Sequence, residues 1–439
     1  MPIKLYDIQQ REVDKSHYNW IYVMSPGTGK TFTSLAHYQK HSPSTPLVII
    51  APKAVLEPDN QWKKAINEFF NKKDKPPKIE YFKTDEIKKL PEKYFKNSYV
   101  IVDEVHKYKN IEKTQRSDKL RMLLIYSLGF VTLSGTLVTG DIVKQDNNVY
   151  IKGGKKQVPG SRRVIPDSRW EDLANYFAIF QCWQYIHNKP SMFDSLGKPP
   201  RTWTPVTTKQ LAMKIIRSQA QIADAKLKNG RRYKMYGYPE FHKYLSLWFN
   251  TISSSIVNLE DITELPPLVK ETIYFSKSND YLKKRPEFNS KTAEVIWERN
   301  NQNTKAKLDW VSNFLDNTEQ NIIIFYNFKA ELEYLKTVIP KTKHIIYRNG
   351  SRQDSLMMSN KNNVVLIQVD SGGAGLNIQQ APIAIWYSYP NSYINYEQSK
   401  WRNYRAGQTQ KTLHYQLHVT NTIDDKMKKS LDSRKDFTV

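Results

Sequence analysis

The chain has 439 residues, and its 67 Lys and Arg against 43 Asp and Glu give a formal net charge of +24. The single cysteine, Cys182, cannot close an internal disulfide, so the composition excludes a stapled secreted scaffold and favours a reducing compartment, which we expect to be the cytoplasm. No apolar run approaches the ~18 residues that a membrane span needs, so we expect no membrane partner. The excess positive charge attracts polyanions, of which nucleic acid is the commonest, although a merely lysine-rich composition is the alternative.

Short β-branched runs alternate with helical patterns in residues 1–140. The predicted strands are Ile21–Met24, Leu47–Ala51, Tyr99–Asp103 and Phe130–Leu133, and the predicted helices include Thr31–Lys40 and Gln61–Phe70. Because strands that alternate with helices form parallel sheets covered on both faces, this region predicts an α/β domain.

The same alternation returns in residues 261–439. The predicted strands are Val269–Phe275, Asn321–Tyr326, His344–Tyr347, Val364–Gln368, Ile383–Tyr387 and Thr412–Val419, with helices over Ala330–Thr337 and Tyr393–Arg405. The sequence therefore predicts two α/β domains in tandem.

The segment between them has a different character. Turn signals at Asn147-Asn148 and Gly153-Gly154 predict a β-hairpin within 141–166, and its basic residues include Lys155, Lys156, Arg162 and Arg163. This hairpin is either a strand-separating wedge that binds nucleic acid or a flexible basic loop. Residues 167–260 read as a mostly helical connector, in which Tyr176, Phe180 and Trp183 are expected to be core residues.

The strongest motif is SPGTGKT at residues 25–31, which follows the apolar run IYVM and opens a helical pattern. Glycines let consecutive N–H groups curl around a phosphate, and the helix that follows adds the positive end of its dipole. Lys30 would neutralise phosphate charge and the Thr31 hydroxyl would hold Mg²⁺. The predicted nucleotide-binding residues here are Pro26, Gly27, Thr28, Gly29, Lys30 and Thr31.

Two carboxylates follow the apolar strand that ends at Val102. Ligands of open α/β sheets bind at the carboxyl ends of strands, where Asp103 and Glu104 would lie. We expect Asp103 to hold Mg²⁺ through water and Glu104 to orient and deprotonate the attacking water.

Two arginines, Arg402 and Arg405, stand three residues apart in the second predicted domain. On one face of a helix, both could reach a γ-phosphate as arginine fingers, an effect worth roughly 10³–10⁵ in rate. A solvated helix face is the alternative interpretation.

The order of these motifs resembles that of the superfamily 2 helicases, and most of all their Swi/Snf-type branch, from Leu5 to about Lys429. The resemblance implies two RecA-like domains, ATP and Mg²⁺ as cofactors, and DNA as the partner. It also implies that Gln9 reads adenine, that Pro52 and Lys53 lie near the nucleic-acid backbone, and that His106 completes a DEAH box.

Further family motifs follow in order. Ser134, Gly135 and Thr136 resemble the motif that couples ATP state to domain movement, and Ile322–Phe328 resembles motif IV. Residues 371–377 resemble motif V, which implies contact of Gly372, Gly373, Gly375 and Asn377 with a phosphate backbone. Gln398, Arg402, Arg405, Gly407 and Gln408 fit motif VI, which implies a catalytic role for Gln398 beside the two arginines.

The sequence also departs from the family pattern. Met24 stands where the general phosphate loop has its first glycine, Val105 stands in place of Ala in the DEAH box, and Leu137 stands where Pro usually follows Thr136. The compact, lysine-rich chain is similar to helicases of bacteriophages and mobile elements.

The sequence thus predicts an ATP-dependent DNA helicase or translocase, with phage or mobile-element replication or recombination as its setting and proteins of those pathways as partners. Two alternatives stay open. RNA could be the track, or the chain could be a loading protein whose ATP state switches nucleic-acid affinity without processive movement.

Overall fold

The computed structural model describes the two predicted α/β regions almost throughout. The described residues are 4–57, 60–70, 76–91, 93–108, 115–135, 176, 179–180, 182–184, 186–187, 210, 262, 264–278, 287, 291–302, 304–348, 362–369, 378–405 and 407–433, with the backbone of the strands between 141 and 257. The chain divides into a first unit, residues 1–262, and a second unit, residues 263–439.

The first unit alternates strands and helices from its beginning. Its helices are α1 (Asp7–Asp14), α2 (Lys30–His41), α3 (Lys53–Leu56), α4 (Gln61–Phe69), α5 (Lys93–Lys96) and α6 (Gln115–Tyr126), with 3₁₀ turns over Thr84–Lys89 and Val105–Tyr108. Its strands are β1 (Asn19–Met24), β2 (Leu47–Ala51), β3 (Ile79–Lys83), β4 (Tyr99–Val102), β5 (Gly129–Ser134), β6 (Asp141–Gln145), β7 (Asn148–Lys152), β8 (Gly154–Gln157), β9 (Val164–Asp167), β10 (Gln221–Lys226), β11 (Arg232–Gly237) and β12 (Ser254–Val257).

Six of the described strands form one parallel sheet in the order β12-β1-β5-β4-β2-β3. The four central strands β1, β5, β4 and β2 are buried along their whole length. This is why they read as continuous apolar runs, since both faces of a parallel sheet are covered.

The second unit repeats this arrangement. Its strands are β13 (Leu268–Phe275), β14 (Ile322–Tyr326), β15 (His344–Arg348), β16 (Asn363–Gln368), β17 (Ile383–Trp386) and β18 (Thr412–Val419), and its helices are α7 (Lys291–Asn301), α8 (Thr304–Asp316), α9 (Lys329–Val338), α10 (Tyr393–Lys400) and α11 (Ile423–Asp432). The described strands form a parallel sheet in the order β13-β18-β17-β14-β16-β15. Two tandem RecA-like domains are therefore confirmed.

The predicted strands of both domains are confirmed, but two strands of the first sheet were not predicted. β3 has the sequence IEYFK, in which a charged residue interrupts the apolar run, and β12 contributes only Ser-Ser-Ile-Val. Both lie at the edges of the sheet, where apolar patterning is weakest because one side has no neighbouring strand.

The connector between the domains differs from its prediction. Where a single hairpin was expected within 141–166, strands β6 and β7 form one antiparallel pair and β8 and β9 form another. Where 167–260 read as mostly helical, the described backbone includes the antiparallel pair β10 and β11 and the sheet strand β12. Low β-propensity residues such as Gln, Asp and Lys in Gln221–Lys226 concealed that pair.

The aromatic residues of this connector pack as predicted. Tyr176, Phe180 and Trp183 are buried against the first sheet, and the Trp183 indole donates to the Ser127 carbonyl at 2.9 Å. Among the described residues, no helix is long and apolar enough to cross a membrane.

Candidate functional site

The phosphate loop lies at the carboxyl end of β1. Gly27 and Gly29 adopt left-handed backbone, with φ of 86° and 77°, which a residue with a Cβ adopts only with strain. The Thr28 hydroxyl donates to the Ser25 carbonyl at 2.6 Å and closes the loop. Lys30 opens α2, and its Nζ donates to the Met24 carbonyl at 3.1 Å, so the ammonium group lies over the loop.

Gln9 packs directly against this loop. Its Nε2 donates to the Thr28 carbonyl at 2.5 Å, and its Oε1 accepts from the Tyr6 N–H at 2.9 Å. A Cβ on Gly29 would overlap the Gln9 amide nitrogen, so this contact requires glycine. Gln9 therefore supports the loop conformation, while its reading of adenine stays a prediction.

The two carboxylates follow β4 at the same edge of the sheet. Strand pairing continues as far as Asp103, whose N–H donates to the Ile50 carbonyl at 2.8 Å, and Glu104 then adopts left-handed backbone with a φ of 54°. Such a conformation in a non-glycine residue costs of order 1–3 kcal/mol and is concentrated at functional sites. The turn separates the two side chains, so that they can take different roles.

The environments of the two carboxylates shift their pKa values in opposite directions. Burial, followed by the charge of Glu104, raises the pKa of Asp103. Burial alone would also raise the pKa of Glu104, but the hydrogen bond and charge of His106 and the charge of Lys30 hold it below its ordinary value. Glu104 is therefore a carboxylate at neutral pH, as an acceptor of a water proton must be.

His106 connects this pair to the end of β5. Its Nδ1 lies 3.2 Å from Glu104 Oε2 and 3.1 Å from Ser134 Oγ. Gly135 follows, and a Cβ built on it would lie 3.3 Å from Pro26 Cδ and 3.6 Å from Lys30 Nζ. The structure thus brings the phosphate loop, the carboxylates and Ser134-Gly135 together, as expected, whereas Thr136 lies outside the described residues.

The donor set suits a magnesium nucleotide. Thr31 stands in the first turn of α2, and Asp103 and Glu104 supply carboxylate oxygens beside the Lys30 ammonium. Within the described chain, no group of three or more His, Cys, Asp or Glu could enclose a metal ion alone. Mg²⁺ characteristically binds through one or two protein ligands plus substrate phosphates, so Thr31 and Asp103 fit this mode.

Three contacts at this site could not be predicted from the sequence. The Trp62 indole of α4 faces the Asp103 carboxylate and partly offsets the rise in the Asp103 pKa that burial causes. The Tyr176 hydroxyl donates to the Val105 carbonyl at 3.1 Å, and the Ser25 N–H donates to the Val257 carbonyl at 2.9 Å. Each joins residues distant in sequence, and only the aromatic character of Trp62 and Tyr176 gave any signal.

The residues predicted to lie near nucleic acid are only partly described. Pro52 precedes α3 at the carboxyl end of β2, and the Lys53 side chain is 63% exposed, 3.9 Å from Glu57. Lys155 and Lys156 lie on β8, where the backbone alone is described. Arg162, Arg163, Gly372, Gly373, Gly375 and Asn377 lie outside the described residues.

In the second unit, β14, which resembles motif IV, leads to the N-terminus of α9, and a carboxylate of the protein occupies that N-terminus. Glu331 is buried, and its Oε2 accepts from the N–H groups of Asn327 at 2.7 Å and Phe328 at 3.2 Å. The same oxygen accepts from the Ser388 hydroxyl at 2.9 Å. The carboxylate therefore occupies the position at the start of α9 that an anion would otherwise take.

The prediction that both arginines lie on one helix face is wrong. Helix α10 carries Gln398 but ends at Lys400, and Arg402 and Arg405 lie in the turns that follow. The Trp401 N–H still makes a helical bond to the Glu397 carbonyl, but the Arg402 N–H bonds to the Ser399 carbonyl three residues back, so the chain tightens into a turn at the helix end. Arg402 is 7% exposed. Burial lowers the pKa of Arg405 to about 10, which leaves it charged at neutral pH.

Known protein families match both units in order. The family described as "Type III restriction enzyme, res subunit" matches residues 3–125, and the "Helicase conserved C-terminal domain" matches residues 306–407. The two matches cover about half of the chain and fall one in each RecA-like unit. The chain belongs to the superfamily 2 helicases. Its family members are ATP-hydrolysing enzymes that act on nucleic acid, as the resemblance implied.

Comparison with individual proteins adds one structure. The Sulfolobus solfataricus SWI2/SNF2 ATPase core in complex with dsDNA is similar at 14% identity and a TM-score of 0.36, with 98% of this helicase chain and 91% of that chain covered. No curated protein matches this sequence.

Proposed function

We propose that this helicase-family protein is an ATP-driven motor on DNA, a translocase or helicase of Swi/Snf-like type. The main support is the arrangement of the nucleotide-site residues in the first unit. Lys30, Asp103 and Glu104 lie at one edge of a parallel sheet, and His106 contacts both Glu104 and the coupling motif at Ser134. His106 thus connects the residues proposed to bind the triphosphate with Ser134, which lies in the motif that resembles the family's coupling motif.

Each residue of the nucleotide site has a distinct task in this function. Lys30 and the loop N–H groups bind the phosphates, and Thr31 and Asp103 hold Mg²⁺, which when bound neutralises charge on the phosphate oxygens. Glu104, kept ionised, accepts the proton of the attacking water. His106 holds the Glu104 carboxylate in place.

We assign Arg402 and Arg405 to the stabilisation of charge that develops on the transferred phosphoryl group, with Gln398 beside them. The second unit fixes both arginines in a hydrogen-bonded turn, which reduces the reorganisation that the reaction requires. Removing such an arginine costs roughly 10³–10⁵ in rate in nucleotide hydrolases.

The proposed track is the DNA backbone. The net charge of +24 and the exposed Lys53 at the sheet edge support backbone binding, with Pro52, Lys155, Lys156, Arg162, Arg163 and the glycines of 371–377 as further contacts. Backbone contacts carry no sequence information, so we expect little sequence preference and strong salt dependence. On the family resemblance alone, we extend the proposal to replication or recombination of phage or mobile-element DNA.

ATP hydrolysis measured without nucleic acid and with single-stranded DNA, duplex DNA or RNA tests this function. We expect duplex DNA to stimulate most. Lys30→Ala and Glu104→Gln should abolish stimulated turnover. Lys40→Ala is the matched control, because Lys40 lies on the same helix and its Nζ donates to the carbonyls of Val13, Asp14 and Ser16 rather than to the phosphate loop. Stimulation by RNA alone, or full turnover in Lys30→Ala, would overturn the proposal.

Movement requires a separate measurement. Displacement of a triplex-forming strand reports translocation, and opening of a forked duplex reports strand separation. ATPase without triplex displacement would support an ATP-switched binding protein instead. Deletion of residues 145–164 should reduce fork opening more than ATPase if the paired strands act as a wedge, and equal loss would reject that role.

A further inference from the structure

The segment that carries the two arginines is anchored at its centre by a buried amide. Asn403 lies between Arg402 and Arg405 in sequence and is fully buried. Its Nδ2 donates to the Ala381 carbonyl, just before β17, at 2.9 Å. Its Oδ1 lies 3.0 Å from His414 Nε2 on β18. The turn is thereby bonded through one side chain to two neighbouring parts of the sheet.

The His414 ring donates to Asn403 through Nε2. The ring is 1% exposed, and its other nitrogen, Nδ1, has no hydrogen-bond partner among the residues that the structure describes. Since the Asn403 nitrogen is committed to Ala381, the Asn403 oxygen accepts, and the ring must carry its proton on Nε2. Burial and the charges of Lys270 and Lys400 lower the pKa of His414 to about 3, so the ring is neutral.

Main-chain and amide bonds fix the two ends of the same turn. The Arg402 carbonyl accepts from the Ile378 N–H at 3.0 Å, and the Arg405 carbonyl accepts from the Gln408 N–H at 3.0 Å. The Gln408 side chain donates to the carbonyls of Asn403 and Gln379, both at 2.9 Å. The middle of the turn is thus held by the Asn403 side chain and by the Gln408 amide on the Asn403 carbonyl, and its ends are held by backbone bonds.

We propose that Asn403 and His414 form a positioning pair, in which the His414 N–H fixes the Asn403 amide and the amide holds the turn that presents Arg402 and Arg405. The inference rests on the proposed function, because it concerns the arginines assigned there to catalysis. A misplacement of about 1 Å at a catalytic group can cost about 10²-fold in rate. The pair should therefore act on turnover and not on nucleotide binding.

The test compares DNA-stimulated ATP hydrolysis and nucleotide affinity in full-length variants. Asn403→Ala should lower kcat by about 10- to 100-fold while the affinity for a fluorescent ATP analogue stays within about twofold. His414→Gln keeps an N–H donor and should stay within about threefold of the unaltered protein. His414→Phe keeps a ring of similar size without the donor and should lose about tenfold, the rate equivalent of about 1.4 kcal/mol.

A control on the same strand separates positioning from stability. Gln416 lies two residues beyond His414, and its Nε2 donates to the Tyr396 hydroxyl of α10 at 2.9 Å, which is a buried bond that does not touch the turn. Gln416→Leu should lower the melting temperature as much as His414→Phe but leave kcat unchanged. Equal kcat in His414→Gln and His414→Phe, or equal loss in Gln416→Leu, would overturn the inference.

A double variant that combines Asn403→Ala with Arg405→Ala tests whether Asn403 affects turnover through the arginines. If Asn403 acts through the arginines, Asn403→Ala should cost little further turnover in Arg405→Ala, whereas a general structural defect would add its full cost. Unaltered turnover in Arg405→Ala would refute the arginine assignment of the proposed function. Loss in Arg405→Ala with full turnover in Asn403→Ala and His414→Phe would refute the positioning pair alone.

Discussion

Lowering the pH from 7.5 to 5 is expected to destabilise the second unit through His414. The folded-state pKa of this ring is about 3, against an ordinary value of 6.5. Because the folded value is the lower one, the unfolded chain takes up the proton first. The stabilising contribution of the neutral ring is therefore complete above pH 6.5 and is lost as the pH falls towards 3.

The size of the effect follows from the separation of the two pKa values. A pH of 5 is 1.5 units below the ordinary histidine pKa of 6.5, so His414 is mostly protonated in the unfolded chain, while the folded ring stays neutral. The loss of stability is about 2 kcal/mol, or about 30-fold in the opening equilibrium. A proton on Nδ1 would meet no acceptor within the described part of the chain and would face the charges of Lys270 and Lys400.

Hydrogen–deuterium exchange of peptides from β18, corrected for the intrinsic pH dependence of exchange, measures this change. Protection in the unaltered protein should fall about 30-fold more than in His414→Gln, because glutamine does not titrate. Histidines elsewhere, including His37 with its own lowered pKa, affect both proteins equally. Parallel pH profiles in the two proteins would refute the reasoning.

Three further predictions concern other contacts. Gly29→Ala should weaken ATP binding at least tenfold, because left-handed backbone costs about 1–2 kcal/mol and the new Cβ overlaps the Gln9 amide; the double variant with Gln9→Ala should recover part of the loss in a nucleotide titration, and additive losses would contradict the contact. Ser134→Ala should keep ATP binding but uncouple hydrolysis from triplex displacement, so equal retention of both would count against a coupling role. Lys307→Met should destabilise the second unit by about 3–5 kcal/mol in urea unfolding, because it removes the ammonium 3.3 Å from the buried Asp424 carboxylate, to which Val419 and Gln302 contribute neutral donors but no charge. Lys336→Met, which breaks an exposed pair with Glu333, is the control.

The central strands could be predicted from the sequence because burial on both faces demands continuous apolar runs. Leu47–Ala51, a wholly apolar run, was predicted to the residue and is buried throughout. Thr412–Val419 was also predicted to the residue, although polar residues interrupt its sequence TLHYQLHV and two of its positions are half-buried. Edge strands lack that demand. β12 pairs with β1 across more than 200 residues of sequence, and nothing in Ser-Ser-Ile-Val indicates the partner strand.

The nucleotide site was predictable to the extent that it consists of local motifs at strand ends. Each motif, such as Lys30 after β1 or Glu104 after β4, is fixed by a few neighbouring residues, and the parallel sheet brings the strand ends to one edge. The turn that carries Arg402 and Arg405 could not be predicted from the sequence. Helical periodicity ran on to Arg405, whereas the buried bonds of Asn403 to Ala381 and His414, which hold the turn, join residues distant in sequence.

The strand β12 has a consequence for the order in which the protein matures on the ribosome. Residues 254–257 complete the sheet beside the strand that leads into the phosphate loop, and the Val257 carbonyl holds the first loop N–H. At about 5–20 residues per second, synthesis of the roughly 120 residues between β5 and this strand takes about 6–24 seconds. Until then β1 is an edge strand without a neighbour on one side. A fragment that ends before residue 254 would therefore contain every nucleotide motif of the first unit but would expose an edge strand that is prone to association.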